Sequence, residues 1–453
     1  MSREKSFFIP DDVRGVYRNR RVWTQAILVL VFLGLPWVQI GGHQSILLDI
    51  PQRRFALFGL VFGAHETPLL FFLLAIGFLG IALVTSLWGR IWCGWGCPQT
   101  VFIDFIYRRI ESLVEGKPTQ RRKQMLEPMT AGKLGRRFLK WFLFFVVSSI
   151  LAHNFAAYFV GSEQLLKMLF EGPSAHWTTA ALVTFLTLIV FFDFAWFRER
   201  FCIVVCPYGR FQNVLIEPKT YVIGYDRDRG EPRRGQVIEG KAQGDCVSCQ
   251  RCVQVCPTGI DIRDGLQLEC INCTACIDAC NEIMTKVNKP KNLIGYRTVS
   301  GAPGKLIQVK SMAYSLLLMI CFAGLIYVLK ERRDVDVTSL RGTGLPYSTV
   351  RNEQGQEMVL NQFRFHLTSQ VSRETIFEVE LPEVMKNQGF QLVMAERKVK
   401  LVSFESKTVH FFVMISSDAF RGKAQIPLQV TLRGLEGSSE IIVRDFDMIG
   451  PLK

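Results

Sequence analysis

The sequence predicts an α-helical membrane protein with five spanning helices, a cysteine-rich module inserted before the fifth helix, and an all-β sandwich at the C-terminus. Three observations carry this. Apolar stretches of about 20 residues, the length that crosses a bilayer, recur near 22–41, 68–88, 138–160, 178–197 and 312–329. Eight cysteines crowd into 246–280. From 331 to 453 the chain repeatedly alternates apolar and polar residues, the period of a half-buried strand.

Composition agrees. The chain has 453 residues, so more than one domain is expected. It is 49% hydrophobic with a mean hydropathy of +0.20, yet carries a net charge of +14. That pairing reads as a membrane protein with basic flanks. It disfavours nucleic acid as a partner, because the charge sits beside apolar segments and not along a separate polar face. Twelve of the 13 cysteines precede residue 281, and Cys321 lies in an apolar run. The cysteine loops therefore suit a reducing compartment, and the tail needs no disulfide.

Taken in order, 1–21 is a basic segment, with Arg3, Lys5, Arg14, Arg18, Arg20 and Arg21. The stretch 22–41 is too long for a signal-peptide core and lacks a close cleavage site, so it reads as an uncleaved span bent at Gly34 and Pro36. Residues 42–67 form a loop whose only basic residues are Arg53 and Arg54. The second span is followed by an amphipathic stretch at 98–116, with Val101, Phe102, Phe105, Ile106, Ile110 and Leu113 on one face, and a basic run at 117–137. Lys140 can snorkel at the start of the third span. A link with one basic residue, Lys167, leads to the fourth span, which completes a four-helix region over 22–210. Residues 211–310 hold the cysteine module, centred on about 240–290, and the fifth span occupies 311–330. The basic loops 1–21, 89–137 and 198–310 are placed in the cytoplasm by the positive-inside rule, which puts 331–453 in the periplasm. Lys330, Arg332 and Arg333 oppose this, but the other flank is basic over a longer stretch.

Within 246–280, Cys246, Cys249, Cys252 and Cys256-Pro257 repeat as Cys270, Cys273, Cys276 and Cys280. Three cysteines at successive two-residue gaps wrap one face of a cubane, and the fourth ligand comes from the other run. The spacing predicts two 4Fe–4S clusters in a ferredoxin-like fold. One uses Cys246, Cys249, Cys252 and Cys280; the other uses Cys270, Cys273, Cys276 and Cys256. Zinc prefers two separated pairs, and a disulfide scaffold suits a small secreted domain.

A second constellation is Cys93-Gly-Trp-Gly-Cys97-Pro98 after span two and Cys202-Ile-Val-Val-Cys206-Pro207 after span four. Both are C-x3-C-P with an aromatic residue, Trp92 or Phe201, before the first cysteine. Residues four apart share a helix face, and proline suits the start of a following helix. These elbows read as a weak internal repeat. If they meet, four soft thiolates converge, suited to an iron–sulfur centre, zinc or Cu(I). Trp92, Trp95 and Tyr208 can shield them. The bland alternative is four inert interfacial cysteines.

Other residues weigh less. His153 and Asp193 lie in spans, where ionisable groups point to function. His43, His65, His153 and His176 fall on the outer side and could together hold an oxidised metal, although each alone reads better as interfacial. Met312, Met319 and Cys321 read as packing residues. In the tail, QFRFHL, TIFEVELP, HFFVMI, IPLQVTL and EIIVRDF predict the strands of an immunoglobulin-like sandwich. His366 and His410 sit within these strands as packing or surface residues.

This combination resembles the CcoG/FixG/RdxA family of cytochrome oxidase accessory proteins. WCGWGCPQ at 92–99, FCIVVCPYGRFQ at 201–212, the double cysteine run, the fifth span and the β-rich tail all match in order. The resemblance implies a role in maturing cbb3-type cytochrome c oxidase, by reducing Cu(II) to Cu(I) for its copper site. It places clusters on the eight cysteines of 246–280 and treats Cys93, Cys97, Cys202 and Cys206 as a candidate copper or further cofactor site. Expected partners are copper ions, oxidase subunits or copper chaperones and transporters, and a cytoplasmic electron donor, with a homodimer left open. Two rival readings stand beside this. One is an electron conduit from quinol or ferredoxin to a periplasmic reductase. The other is a non-catalytic, redox-sensing assembly factor.

Overall fold

The computed structural model describes residues 9–51, 54–63, 66–237, 239–240, 242–300, 308–342, 344–351, 355–371, 373–402 and 405–451. The chain forms two compact units. One is Met1–Asp49 with Pro68–Ile326, and the other is Ile50–Thr67 with Tyr327–Lys453.

Among the described residues four helices are long and apolar enough to cross a membrane: Thr67–Trp88, Ala131–Val160, Trp177–Phe197 and Val309–Lys330. They match the expected second to fifth spans. The first expected span, 22–41, is corrected. Its helix runs Val16–Gly34, begins among arginines and gives way to a short 3-10 turn at Leu35–Trp37. Pro36 has no N–H to continue the ladder, and Gln39–Ile40 then pairs with His43–Gln44 in a small antiparallel ladder. The apolar part of the helix, 22–34, rises only about 20 Å, short of a bilayer core. The helix also buries Arg21 and Gln25. The five-span count is therefore not met by length and composition; four helices meet it.

The amphipathic stretch 98–116 is not one helix. Pro98–Phe102 passes through a π-turn at Ile103–Tyr107 into Arg108–Glu115. The extra residue of a π-turn rotates the face that follows, so Val101 and Phe102 are buried while Leu113 is exposed. Span four ends in a second π-turn, Asp193–Phe197.

The segment 1–21 is not a free basic flank. From Ile9 onward it packs into the first unit. Asp278 accepts hydrogen bonds from the backbone N–H of Tyr17 (3.3 Å) and Arg18 (2.7 Å), and Asp11 pairs with Arg122 and Arg251. Asp104 is enclosed by Arg18, Arg21 and Arg108. These cations hold its carboxyl far below its ordinary value of 3.8 despite burial. Glu111 pairs with Arg121 at 3.0 Å and with Arg198.

In the second unit two antiparallel sheets face each other. One orders Gln391–Val393, Ser406–Ser416, Glu357–Ser369 and Val335–Arg341, with Ser348–Arg351 pairing the start of the long strand. The other orders Lys398–Leu401, Thr375–Glu380, Gln425–Glu436 and Ile441–Ile449. Every second residue of the expected strands points inward, and Phe363, Phe365, Phe377 and Phe411 are fully buried. His366 bonds Thr408 across the strands on the exposed face. The expected plain loop 42–67 instead carries a hairpin, Arg54–Leu57 with Leu60–Gly63. Arg332, one of the cations that opposed the expected topology, donates to the Val61 and Gln370 carbonyls and pairs with Glu66.

Candidate functional site

Each cysteine run folds as a tight loop leading into a helix, Arg251–Gln254 in the first and Ala275–Lys286 in the second. Non-glycine residues take left-handed conformations at matching positions: Ser248 and Gln250, then Asn272 and Thr274. These residues pay local strain, and their repetition curls both loops alike. Strands Tyr221–Tyr225 and Ile294–Thr298 close the module. Ile223, Ile260, Ile262, Ile277, Met284 and Ile294 pack around the cysteines.

The structure groups the eight sulfurs in two sets. Cys252 and Cys280 feel the charge of Cys249, and Cys280 that of Cys246. Cys276 feels Cys273, Cys270, Cys256 and, least, Cys252, and Cys270 feels Cys273 and Cys256. Cys280 thus lies near cysteines of the first run, and Cys256 near those of the second. The sets differ in access: Cys249 is exposed, whereas Cys270 and Cys273 are buried. Burial pushes Cys252 and Cys270 up to about 12, so bare thiolates are not favoured there and iron coordination would supply the compensation. The surroundings fit sulfur-rich clusters. The buried Tyr225 hydroxyl lies beside Cys246 and Glu231, where it can donate to thiolate or cluster sulfur.

The two elbows have one geometry. Cys97 N–H donates to the Trp92 carbonyl at 2.8 Å, and Cys206 N–H donates to the Phe201 carbonyl at 2.9 Å. Each second cysteine is extended and hands over to a proline that opens a helix, Pro98–Phe102 or Pro207–Leu215. The elbows interlock. Gln212 donates to Cys93 Sγ at 3.2 Å and accepts from Arg90 Nε at 3.0 Å. Gln99 donates to Asp193 Oδ1 at 3.0 Å and to the Arg198 carbonyl at 3.2 Å. Tyr208 OH meets Thr85 Oγ1 at 2.8 Å.

The four elbow sulfurs therefore converge. Burial pushes Cys202 up to about 12, and the charges of Cys97, Cys93 and Cys206 act in the same direction. Among the described residues no three His, Cys, Asp or Glu groups are set to hold a single metal ion, at the elbows or elsewhere. Trp95 Nε1 is buried at the elbow without a hydrogen-bond partner among the described residues, an unused donor.

The first elbow also joins the second cysteine run. Cys93 packs with Val255, Ile271, Cys273, Ala275 and Ala279, and Tyr208 covers the cluster. A Cβ at Gly94 would lie 2.5 Å from the Ile271 carbonyl oxygen, so only glycine permits this approach. Asn272 Nδ2 donates to the Trp88 carbonyl at 3.1 Å, and Arg90 donates to the Leu268 carbonyl. Arg21 donates to the Cys273 carbonyl at 3.0 Å. Trp92, in contrast, is exposed.

The histidine set is divided. His153 and His176 line one cavity, and His43 does not join them. His65 lies outside the described residues. Sequence reasoning missed Arg90, Gln99 and Gln212. Only their nearness to the cysteine motifs could have marked them.

The fold and site define a membrane protein that carries iron–sulfur clusters for electron transfer. Family models match in three places: a 4Fe–4S dicluster domain over 197–299, a 4Fe–4S binding domain over 70–118, and the IG-like fold at the C-terminus of FixG over 325–451. The chain belongs to the FixG/RdxA family. It is 35% identical over 358 residues to protein RdxB of Cereibacter sphaeroides, covering 73% of this chain and 74% of RdxB. Protein RdxA of the same organism is 36% identical over 64% of this chain and 62% of its own length. The nitrogen fixation protein FixG of Rhizobium meliloti is 35% identical over 64% of this chain and 57% of its own. The crystal structure of a FixG-related protein from Vibrio parahaemolyticus aligns over 27% of this chain and all of that one, with 10% identity and a TM-score of 0.22.

Proposed function

We propose that this protein reduces Cu(II) to Cu(I) at the membrane and so supports copper delivery to a cbb3-type cytochrome c oxidase. The observation that carries this is the apolar cluster that Cys93 and Cys273 share, with Gly94 set against Ile271, which links the elbows to the buried cysteine run. Bound 4Fe–4S clusters supply single electrons at low potential. Cys246, Cys249, Cys252 and Cys280 would hold one cluster, and Cys256, Cys270, Cys273 and Cys276 the other. The exposed Cys249 end gives a cytoplasmic donor access. Cys93, Cys97, Cys202 and Cys206 face the acceptor, directly or through a further centre. Copper is the substrate: Cu(II) takes one electron and becomes Cu(I), which soft thiolates hold better.

In this reading the cysteine module lies in the cytoplasm and the sandwich in the periplasm, where it would dock an oxidase subunit, a copper chaperone or a transporter. The test is anaerobic. The purified protein is reduced with dithionite, freed of excess, and mixed with Cu(II) and a Cu(I) chelator. Cluster reoxidation matched by Cu(I) formation supports the reading. Replacing Cys97 or Cys206 with Ser should abolish it while leaving the ferredoxin signals. Full turnover in both variants would remove the elbows from the mechanism.

A further inference from the structure

We propose that the cavity between spans three and four binds the ring of a para-quinol. The cavity has a volume of about 280 Å³ and is walled by Ala131–Val160, Trp177–Phe192 and the connecting helix Ser162–Glu171. Phe145, Leu165, Met168 and Val183 make most of its surface apolar. The imidazoles of His153 and His176 and the hydroxyls of Ser149, Thr179, Thr184 and Thr187 supply its polarity.

Each ring is anchored at one nitrogen. His153 Nδ1 meets the Ser149 carbonyl at 2.8 Å. A carbonyl only accepts, so the proton sits on Nδ1 and Nε2 keeps a lone pair. His176 Nε2 meets the Glu171 carboxylate, which fixes a proton on that nitrogen and leaves Nδ1. Two held imidazoles, each left with a lone pair on its other nitrogen, match the two O–H donors of a flat apolar quinol ring.

Other occupants fit less well. A single metal ion would need three grouped ligands, and none occur here among the described residues. A lipid acyl chain would leave both imidazoles unmatched in an apolar site, at a cost.

The position of the cavity favours a redox-active ring. From Phe145 on its wall, ring centroids follow at 5.8 Å to Phe191, 5.6 Å to Trp141, 6.3 Å to Phe144, 4.9 Å to Tyr107, 5.1 Å to Phe194 and 5.6 Å to Phe102. Phe102 ends the helix that begins after Cys97. The cavity and the elbows are thus the two ends of one line of aromatic contacts. This site does not depend on copper being the elbow acceptor.

The test uses the full-length protein with its clusters in detergent and a decyl-substituted ubiquinol, kept reduced under anaerobic conditions, as probe. Binding is read by quenching of tryptophan fluorescence. Two variants are compared with wild type. Ala180→Phe fills the cavity from its wall, and His153→Leu removes one imidazole. Unchanged cluster absorption and gel-filtration profile certify that each is folded. We expect saturable binding in wild type and at least a tenfold weaker Kd in both variants. Non-saturable quenching in wild type, or equal binding in Ala180→Phe, overturns the site. Loss in Ala180→Phe with full binding in His153→Leu also overturns it, reducing the cavity to a lipid groove. Cu(II) reduction by the elbows is assayed separately, so failure of either proposal leaves the other readable.

Discussion

Gly94 lies so close to Ile271 that a Cβ on the glycine would come within 2.5 Å of the Ile271 carbonyl oxygen. The obstacle is backbone, in a loop already curled by Asn272 and Thr274, so it cannot swing aside as a side chain can. Gly94→Ala should cost about 1–3 kcal/mol through overpacking. It should also slow copper-driven cluster oxidation, since a shift of about 1 Å can cost a hundredfold in rate. Stopped-flow mixing of the reduced variant with Cu(II) measures this. An unchanged rate would dissociate the contact from electron flow.

Gln212 spans both elbows through Cys93 and Arg90. Gln212→Leu keeps the bulk but leaves the buried Arg90 Nε without its acceptor, at about 1–3 kcal/mol. Thermal unfolding in detergent should show a lower midpoint, with both ferredoxin cluster signals retained at low temperature.

Crossed ligation makes a separable demand on two cysteines in different runs. Cys280→Ser should remove the cluster signal belonging to the Cys246–Cys252 loop, and Cys256→Ser the other. Electron paramagnetic resonance of the reduced variants distinguishes them. Loss of both signals in both variants would favour one interdependent site over two.

Asp104 is a carboxylate enclosed by three arginines, with its folded pKa depressed below the ordinary 3.8. A depressed folded pKa contributes stability above the unfolded value, and that stability is lost as pH falls through the folded one. Wild type should therefore weaken on acidification below about pH 4. Asp104→Asn leaves buried arginines uncompensated, costs about 3–5 kcal/mol, and should flatten this part of the pH profile. Unfolding midpoints between neutral and acid pH give both numbers.

Phe411 is fully buried and touches Phe363, Phe365 and Phe446. Phe411→Ala should cost about 3–5 kcal/mol. His366→Ala, on the exposed face of the same sheet, should stay within about 0.5 kcal/mol. Limited proteolysis of the full chain should release the sandwich early only in the first variant.

The parts legible in the sequence are those whose physics is local. Phe363, Phe365 and Leu367 alternate because a strand has two faces, and that period survives any tertiary context. The cysteine spacing of 246–280 is legible because loop geometry alone makes three sulfurs converge. The left-handed residues Ser248, Gln250, Asn272 and Thr274 were not, since none is glycine. The burial of Arg21, and its pairing with Arg18 around one carboxylate, was also hidden. Their sequence neighbourhood looks like an ordinary basic flank, and only Asp104, over eighty positions away, explains it. The π-turn at Ile103–Tyr107 defeated the helical period that placed Leu113 on the apolar face. The elbows were visible as a repeat, but the glutamines that lock them together depend on where the two halves meet.

The interlocking of the elbows also fixes an order of assembly. Cys93 and Cys97 leave the ribosome long before Cys202, Cys206 and Gln212, with two apolar helices still to be inserted between them. Ile271, against which Gly94 rests, is synthesised later still. The first elbow must therefore wait, thiols reduced and partners absent, until the second half of the membrane region is in place. A centre that draws on all four elbow sulfurs, as proposed above, could form only on a nearly complete chain.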